Sequence, residues 1–128
     1  MKKVISYCLF GPEPRYTMGA IKNAELAAKY MPDWESWFYI ARNVPEEIVN
    51  KLKSIPNTKI IEVRGPFNFL FTLERFRVFS DPSVDVAIVR DADARVLARD
   101  ILCINEWLAG DWNFHIIRDH PTGHSAVM

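Results

Sequence analysis

The residues with the clearest chemical potential in this sequence are Asp91 and Asp93, within the run Arg90-Asp91-Ala92-Asp93. In extended backbone, side chains two residues apart point to the same side, so we expect both carboxylates to face one ligand. Carboxylate oxygens suit hard cations such as Mg²⁺ and Mn²⁺, which usually bridge to phosphate groups. The pair therefore predicts a metal or phosphate site, with a helix cap or a solvated acidic pair as the alternative.

The position of this pair in the chain supports a functional interpretation more than the motif itself does. A lone Asp-x-Asp is weak because it arises by chance. Here it directly follows residues 84–89, VDVAIV, the most uniformly apolar of the strand-like segments. Parallel sheets bind their ligands beyond the carboxyl ends of their strands. We therefore expect the pair to lie at the functional edge of a sheet.

The elements that must position the pair follow from an alternation of two kinds of segment. Short apolar runs predict strands at residues 4–10, 37–41, 59–63, 84–89 and 114–117. Apolar residues at helical spacing predict helices at residues 18–31, from Pro45 to before Pro56, at residues 69–79 and at residues 99–109. The third helix would turn Phe69, Leu73 and Phe76 inward. This alternation predicts an α/β fold in one domain, a mostly parallel, Rossmann-like sheet flanked by helices.

Composition excludes several classes of protein. The chain has 128 residues, of which 49% are hydrophobic and 25% charged, so a disordered or fibrous chain is excluded. A formal net charge of +0 gives no electrostatic argument for a nucleic-acid or anionic-membrane partner. The apolar run near Met1 is too short for a signal peptide or a membrane span. We expect a cytoplasmic protein whose two cysteines, Cys8 and Cys103, are buried thiols.

Two reaction classes use such an acidic pair. In glycosyl transfer from a nucleotide sugar, a divalent metal neutralises the departing diphosphate. In aspartate-based phosphoryl transfer, the motif D-x-D-x-[TV] supplies its first Asp as the nucleophile. Arg95 stands where that motif has Thr or Val, and the pair follows the fourth predicted strand rather than the first. A metal-dependent phosphatase is therefore the alternative to a glycosyltransferase.

Several runs taken together carry a family resemblance. They are Arg75-Phe76, Arg90-Asp91-Ala92-Asp93, Glu106-Trp107-Leu108 and His115-Ile116-Ile117-Arg118-Asp119-His120-Pro121. The chain is similar in these runs to the GT-A glycosyltransferases, and more narrowly to the small ones encoded by large DNA viruses of algae, the chlorella viruses. The run R-D-A-D followed later by R-D-H-P is far more specific than D-x-D alone.

The resemblance implies a GT-A fold and a metal-dependent transfer of a hexose from a UDP- or GDP-linked sugar. Asp91 and Asp93 would hold Mn²⁺ or Mg²⁺ on the donor diphosphate, with His124 as a third ligand. Arg75 would steady Asp91 or contact the donor phosphates. The remaining donor-site residues implied by the resemblance are Leu9, Phe10, Gly11, Tyr16, Arg90 and Ala92, with Tyr16 stacking on the base.

Two later residues complete the expected site, each with a structural alternative. Asp119 would be the catalytic carboxylate or would bind a sugar hydroxyl, and the alternative is a turn or helix-capping Asp. His124 and His120 would otherwise be solvated loop histidines, and His115 is expected to be structural.

The resemblance also bears on partners. The acceptor would be a glycan or a glycoprotein, including a viral capsid protein, in the cytoplasm of a host cell, and the enzyme a monomer or homodimer. Family members usually continue beyond this point through elements that complete the acceptor site, so residues 1–128 would be a nucleotide-sugar-binding domain that is either a natural minimal form or the donor-binding half of a longer protein. A nucleotide-sugar-binding module without transferase activity is therefore a further alternative.

Overall fold

The computed structural model describes residues 1–64, 69–111 and 113–114. The chain divides into two compact units, Met1–Arg95 and Val96–Met128.

The first unit contains a parallel sheet of four strands. These are β1 (Lys3–Leu9), β2 (Trp34–Ile40), β3 (Thr58–Glu62) and β4 (Val86–Val89), in the order β3-β2-β1-β4. The predicted α/β class with a parallel sheet is therefore confirmed for four strands. Of the predicted fifth strand, Phe114 has no regular secondary structure, and residues 115–117 lie outside the described part of the chain.

One face of the sheet is covered by two helices, α1 (Pro14–Tyr30) and α2 (Glu46–Lys53). The first begins four residues before the predicted start because Pro14 suits the first helical position. Small buried side chains at Ala20, Ala24 and Ala27 allow α1 to approach the sheet closely. Beneath the helices the rings of Tyr7 and Phe38 stack with their centroids 4.8 Å apart.

The opposite face is covered by a 3₁₀ helix, Phe69–Ser80, where an α-helix was predicted. The predicted inward position of Leu73 was wrong, since Leu73 is 60% exposed, whereas Phe76 is half-buried and the fully buried residues are Phe71 and Val78. The side chain between these two along the inner face is Arg75, whose side chain is only 15% exposed. Apolar spacing cannot find a face that includes an arginine, and so it selected the wrong residues.

The second unit contains α3 (Ala98–Ala109), one residue longer than predicted. The Asp100 carboxylate accepts a hydrogen bond of 2.9 Å from the Leu97 backbone N–H and so caps the first turn. Ile104 is buried, and Gly110 follows the last turn. In the ranges that the structure describes, no helix is long and apolar enough to cross a membrane.

Candidate functional site

The strand order places the carboxyl ends of β1 and β4 side by side. From β1 the chain winds to β2 and β3 in one direction, and β4 lies on the other side of β1. The Arg90 N–H extends this pairing by donating a hydrogen bond of 3.0 Å to the Ser6 carbonyl. A reversal of winding between two parallel strands opens a crevice, which is the usual ligand site of such sheets.

A cavity of about 150 Å³ lies at this junction. Most of the residues that line it were predicted for the donor site: Leu9, Phe10, Tyr16, Arg75, Asp91, Ala92 and Asp93. Cys8 and Thr72 complete the lining. The fold thus brings together residues from the end of β1, the start of α1, the 3₁₀ helix and the segment after β4.

The backbone of the acidic pair is a turn, and the expectation of an extended segment was wrong. Residues 91–94, here called the acidic turn, close with a hydrogen bond of 3.2 Å from the Ala94 N–H to the Asp91 carbonyl. The i, i+2 alternation of a strand therefore does not orient the two carboxylates. Both still line the cavity, together with Ala92 between them.

Asp91 pairs with Arg75 of the 3₁₀ helix. The Arg75 Nη1 contacts the Asp91 carboxylate and lies 3.4 Å from the Arg90 carbonyl, to which it also donates. The Ser6 hydroxyl of β1 donates a hydrogen bond of 2.6 Å to the Arg75 carbonyl and fixes this part of the helix. Within the described residues the buried Nε of Arg75 has no hydrogen-bond partner. A largely buried guanidinium that lines a cavity suits an anion.

Asp93 pairs with a different arginine, Arg15, which the sequence analysis missed. The Arg15 Nη2 lies 3.0 Å from the Asp93 carboxylate, and its guanidinium lies 5.7 Å from the centre of the Tyr16 ring. Arg15 is in the first turn of the helix that follows β1, next to a residue that was already a candidate. Its position beside Tyr16 at the start of this helix could have indicated a role at the site.

Two further residues of α1 contact the acidic turn and were also missed. The buried Asn23 side chain donates to the Ala92 and Ala94 carbonyls, and the Gly19 backbone lies directly beneath Ala92. Neither residue has a charge or belongs to a motif, so no pattern in one sequence indicates them.

The end of β1 is held by a separate contact. Gly11 has φ +75°, a conformation that favours glycine, and its N–H donates a hydrogen bond of 2.9 Å to the Asn43 side-chain oxygen. Gly11 thus lies beside the cavity and not in its lining, as does Arg90, whose Nη2 donates to the Arg95 carbonyl at 3.1 Å. Both support the backbone that carries lining residues.

The cysteines are less buried than predicted, since Cys8 and Cys103 are both half-buried. The Cys8 Sγ donates to the Thr72 carbonyl at 3.4 Å. Burial raises the pKa of the Cys8 thiol to about 11, an effect that the nearby Arg75 partly offsets. Cys8 is therefore a neutral, hydrogen-bonding wall of the cavity at physiological pH.

The predicted residues Asp119 and His124, with His115 and His120, lie outside the described residues. Within the described ranges, no three His, Cys, Asp or Glu side chains gather into a metal-binding group. Asp91 and Asp93 supply two carboxylates to one cavity, and each ion pair occupies one oxygen of its carboxylate. Such a donor set fits Mg²⁺ or Mn²⁺, which take one or two carboxylates together with phosphate oxygens and water.

A second, larger groove of about 800 Å³ runs along β3 and the end of the 3₁₀ helix. Its charged lining residues include Lys59, Arg64, Arg77 and Asp81. Arg64 is therefore separated from the acidic turn, although both follow strands at the same edge of the sheet.

The fold and the cavity define an α/β protein with a parallel sheet and a candidate ligand site at the winding reversal. No model of a known protein family matches the chain, and no curated protein shows significant similarity to it.

Proposed function

We propose that the chain is a metal-dependent glycosyltransferase of the GT-A type, which uses a nucleotide-diphosphate sugar as donor. One observation carries the proposal. A single cavity at the junction of β1 and β4 is lined by aromatic side chains, two carboxylates and the arginine Arg75, and a second arginine, Arg15, pairs with one of those carboxylates. An aromatic side chain can bind a nucleoside, carboxylates can bind a cation, and arginines can bind a diphosphate.

The nucleoside is assigned to the side of the cavity formed by Leu9, Phe10 and Tyr16. Tyr16 is 39% exposed, so one part of its ring remains available to stack on a base. Ligand pockets usually span about 300–1,000 Å³. The cavity of about 150 Å³ therefore suits the nucleoside part of a donor, with the diphosphate and sugar directed outward past the acidic turn.

The diphosphate is assigned to the charged side of the cavity. Asp91 and Asp93 would hold Mn²⁺ or Mg²⁺, and the bound cation would stabilise the charge that develops on the leaving diphosphate. Arg75 and Arg15 now neutralise the two carboxylates, so the four side chains together carry no net charge. When a cation occupies the carboxylates, both guanidinium groups become available to phosphate oxygens.

The acceptor side of the reaction rests on the resemblance. The proposed acceptor is a glycan or a glycoprotein such as a viral capsid protein, with Asp119 as the catalytic carboxylate and His124 as the third metal ligand. Cytoplasmic location and a monomeric or homodimeric state belong to the same proposal.

The test is a thermal-shift screen of UDP- and GDP-sugars with Mn²⁺ and with EDTA. A ligand that binds the folded state raises its stability by RT ln(1 + [L]/Kd), so the donor is identified by its shift. We expect one donor to bind with Mn²⁺ and to bind much more weakly after chelation. Equal affinity in EDTA would exclude a metal bridge. Binding without sugar transfer to any acceptor would indicate a binding module, and a trapped phosphate on Asp91 would indicate a phosphatase.

A further inference from the structure

We propose that Asn23, together with Gly19, is a positioning residue for the donor site, because it fixes the acidic turn against α1. The effect that we expect on ligand binding rests on the proposed function. The anchoring of the acidic turn by Asn23 and Gly19 does not depend on that function.

The first support is the hydrogen bonding of Asn23. Its side chain is completely buried, on a helix whose other buried residues are mostly small or apolar: Thr17, Gly19, Ala20, Ile21, Ala24 and Ala27. The Nδ2 donates to the Ala92 carbonyl at 3.1 Å and to the Ala94 carbonyl at 2.9 Å. A buried amide is unfavourable in apolar surroundings unless its hydrogen bonds are made. Both carbonyls lie in the acidic turn, so one amide group holds the turn at two points.

The second support is the space above Gly19. A Cβ at this position would lie 2.3 Å from the Ala92 carbonyl oxygen and 3.2 Å from its carbon. These atoms belong to backbone, which cannot move aside as a flexible side chain can. Gly19 therefore allows the acidic turn to lie directly on the helix.

The two residues act on the same part of the turn. Positions four apart lie on one face of an α-helix, one turn from each other. Gly19 admits the backbone of Ala92, and Asn23 binds it. Ala92, which is buried, is thus the fixed point between the carboxylates of Asp91 and Asp93.

The consequence concerns the geometry of the site. The same helix carries Arg15 and Tyr16, so α1 fixes the acidic turn relative to the aromatic wall and to one arginine. Binding sites need their groups held to within about 0.5 Å, which a turn anchored on a helix can provide. Loss of the anchor should therefore reduce ligand binding more than it reduces folding.

The structural part is tested in the ligand-free protein by NMR. In the wild type, the side-chain amide protons of Asn23 should exchange slowly, whereas those of the exposed Asn50 should exchange rapidly. The ¹⁵N order parameters of Ala92 and Asp93 should match those of β4. Rapid exchange at Asn23, or a disordered turn, would overturn the proposal without any variant.

Asn23→Ser, which can donate only one hydrogen bond, is the test variant. Its matched control is Leu52→Ala, which destabilises a fully buried position of α2 on the β3 side of the sheet. We expect the order parameters of Ala92 and Asp93 to fall in Asn23→Ser and to stay at the wild-type value in Leu52→Ala. Unchanged order in Asn23→Ser would overturn the proposal.

The consequence for the site is measured as Mn²⁺-dependent affinity for UDP and GDP, at a temperature where both variants are folded. We expect a loss of about tenfold or more in Asn23→Ser, the range typical of residues that orient metal ligands, and little change in Leu52→Ala. Equal affinity of Asn23→Ser and wild type would overturn the positioning role. If the wild type itself binds neither nucleotide, the proposed function fails, and the NMR result still decides whether Asn23 anchors the turn.

Discussion

Arg75 lies on the helix that precedes β4 and Asp91 in the turn that follows it, and their side chains form an ion pair at the cavity. Asp93 has its own arginine, Arg15. The acidic pair is therefore neutralised in the ligand-free protein, and mutual repulsion does not govern its stability. Removal of either carboxylate should therefore leave an arginine without its ion-pair partner.

Asp91→Asn should abolish Mn²⁺-dependent nucleotide binding and also lower the free energy of unfolding, by about 1 kcal/mol, because it leaves a largely buried guanidinium without its carboxylate. Asp93→Asn should abolish the same binding with a smaller stability change, since Arg15 is exposed. Thermal unfolding and isothermal titration calorimetry measure the two effects.

The matched control for both variants is Asp33→Asn, an exposed aspartate in the turn before β2, at the opposite edge of the sheet. It removes the same charge and should change neither quantity. Normal nucleotide affinity in both Asp91→Asn and Asp93→Asn would contradict the assignment of this site.

Tyr16→Ala should weaken UDP or GDP binding by about 1–3 kcal/mol, the usual value of an aromatic stacked on a base. Its effect on a nucleoside should equal its effect on the nucleotide sugar, because the ring is assigned to the base alone. Tyr30→Ala is the control, since Tyr30 is an exposed tyrosine at the far end of the same helix. If both variants bind as the wild type does, the base lies elsewhere.

The parallel sheet could be predicted from the sequence because each strand is a short apolar run between turn-forming residues. The boundaries differed where apolar content was a poor guide. For example, β2 begins at Trp34, three residues before the predicted start. The polar residues Glu35 and Ser36 interrupt the apolar run, so its first paired residues were not predicted. The inner face of the 3₁₀ helix was predicted incorrectly because it includes Arg75, and only tertiary contacts can place a charged side chain there.

The candidate site was predictable where charge and position coincide. Asp91 and Asp93 were found because they follow an apolar strand, although their carboxylates are oriented by a turn and not by strand alternation. Gly19 and Asn23 could not be found, since their roles depend on a backbone that arrives from about 70 residues later in the chain. Such long-range contacts leave no local pattern.

Gly19→Ala should destabilise the protein by about 1–3 kcal/mol, because the added methyl group meets the Ala92 backbone. The sign of this change in the free energy of unfolding distinguishes a buried contact from helix propensity. Helix propensity alone predicts that the same change stabilises an exposed helix by up to about 1 kcal/mol. Lys22→Ala, at an exposed position of α1, should change the free energy of unfolding by less than about 0.5 kcal/mol. A stabilised Gly19→Ala variant would show that the turn does not rest on the helix.

Cys8 should make stability dependent on alkaline pH. Its pKa is about 11 in the folded chain and has its ordinary value of 9.0 when unfolded. Between these values the unfolded chain releases a proton that the folded chain retains, so the Cys8 contribution to stability is constant below pH 9 and falls as pH rises toward 11. Cys8→Ser keeps the hydrogen-bond donor and removes this titration.

The free energy of unfolding of wild type relative to Cys8→Ser should therefore fall by about 2–3 kcal/mol across this interval. Urea unfolding at matched pH values measures the difference, and contributions from tyrosines cancel between the two proteins. A difference independent of pH would mean that the thiol is not desolvated.

Arg15→Ala should separate phosphate binding from stability. Arg15 is exposed, so its pair with Asp93 contributes little to folding, and the free energy of unfolding should change by less than about 1 kcal/mol. If the guanidinium moves to the diphosphate when Mn²⁺ occupies the carboxylates, the variant should lose affinity for UDP or GDP while its affinity for the free nucleoside stays the same.

The control is Arg42→Ala, an exposed arginine that follows β2 at the same edge of the sheet. Both variants remove one positive charge from this edge of the sheet, so long-range attraction of the anion falls in both. A direct contact predicts that Arg15→Ala loses diphosphate affinity at low and at high salt, whereas any loss in Arg42→Ala disappears as salt screens the charge. Identical behaviour of the two variants across a salt series would remove Arg15 from the phosphate site and leave Arg75 as its arginine.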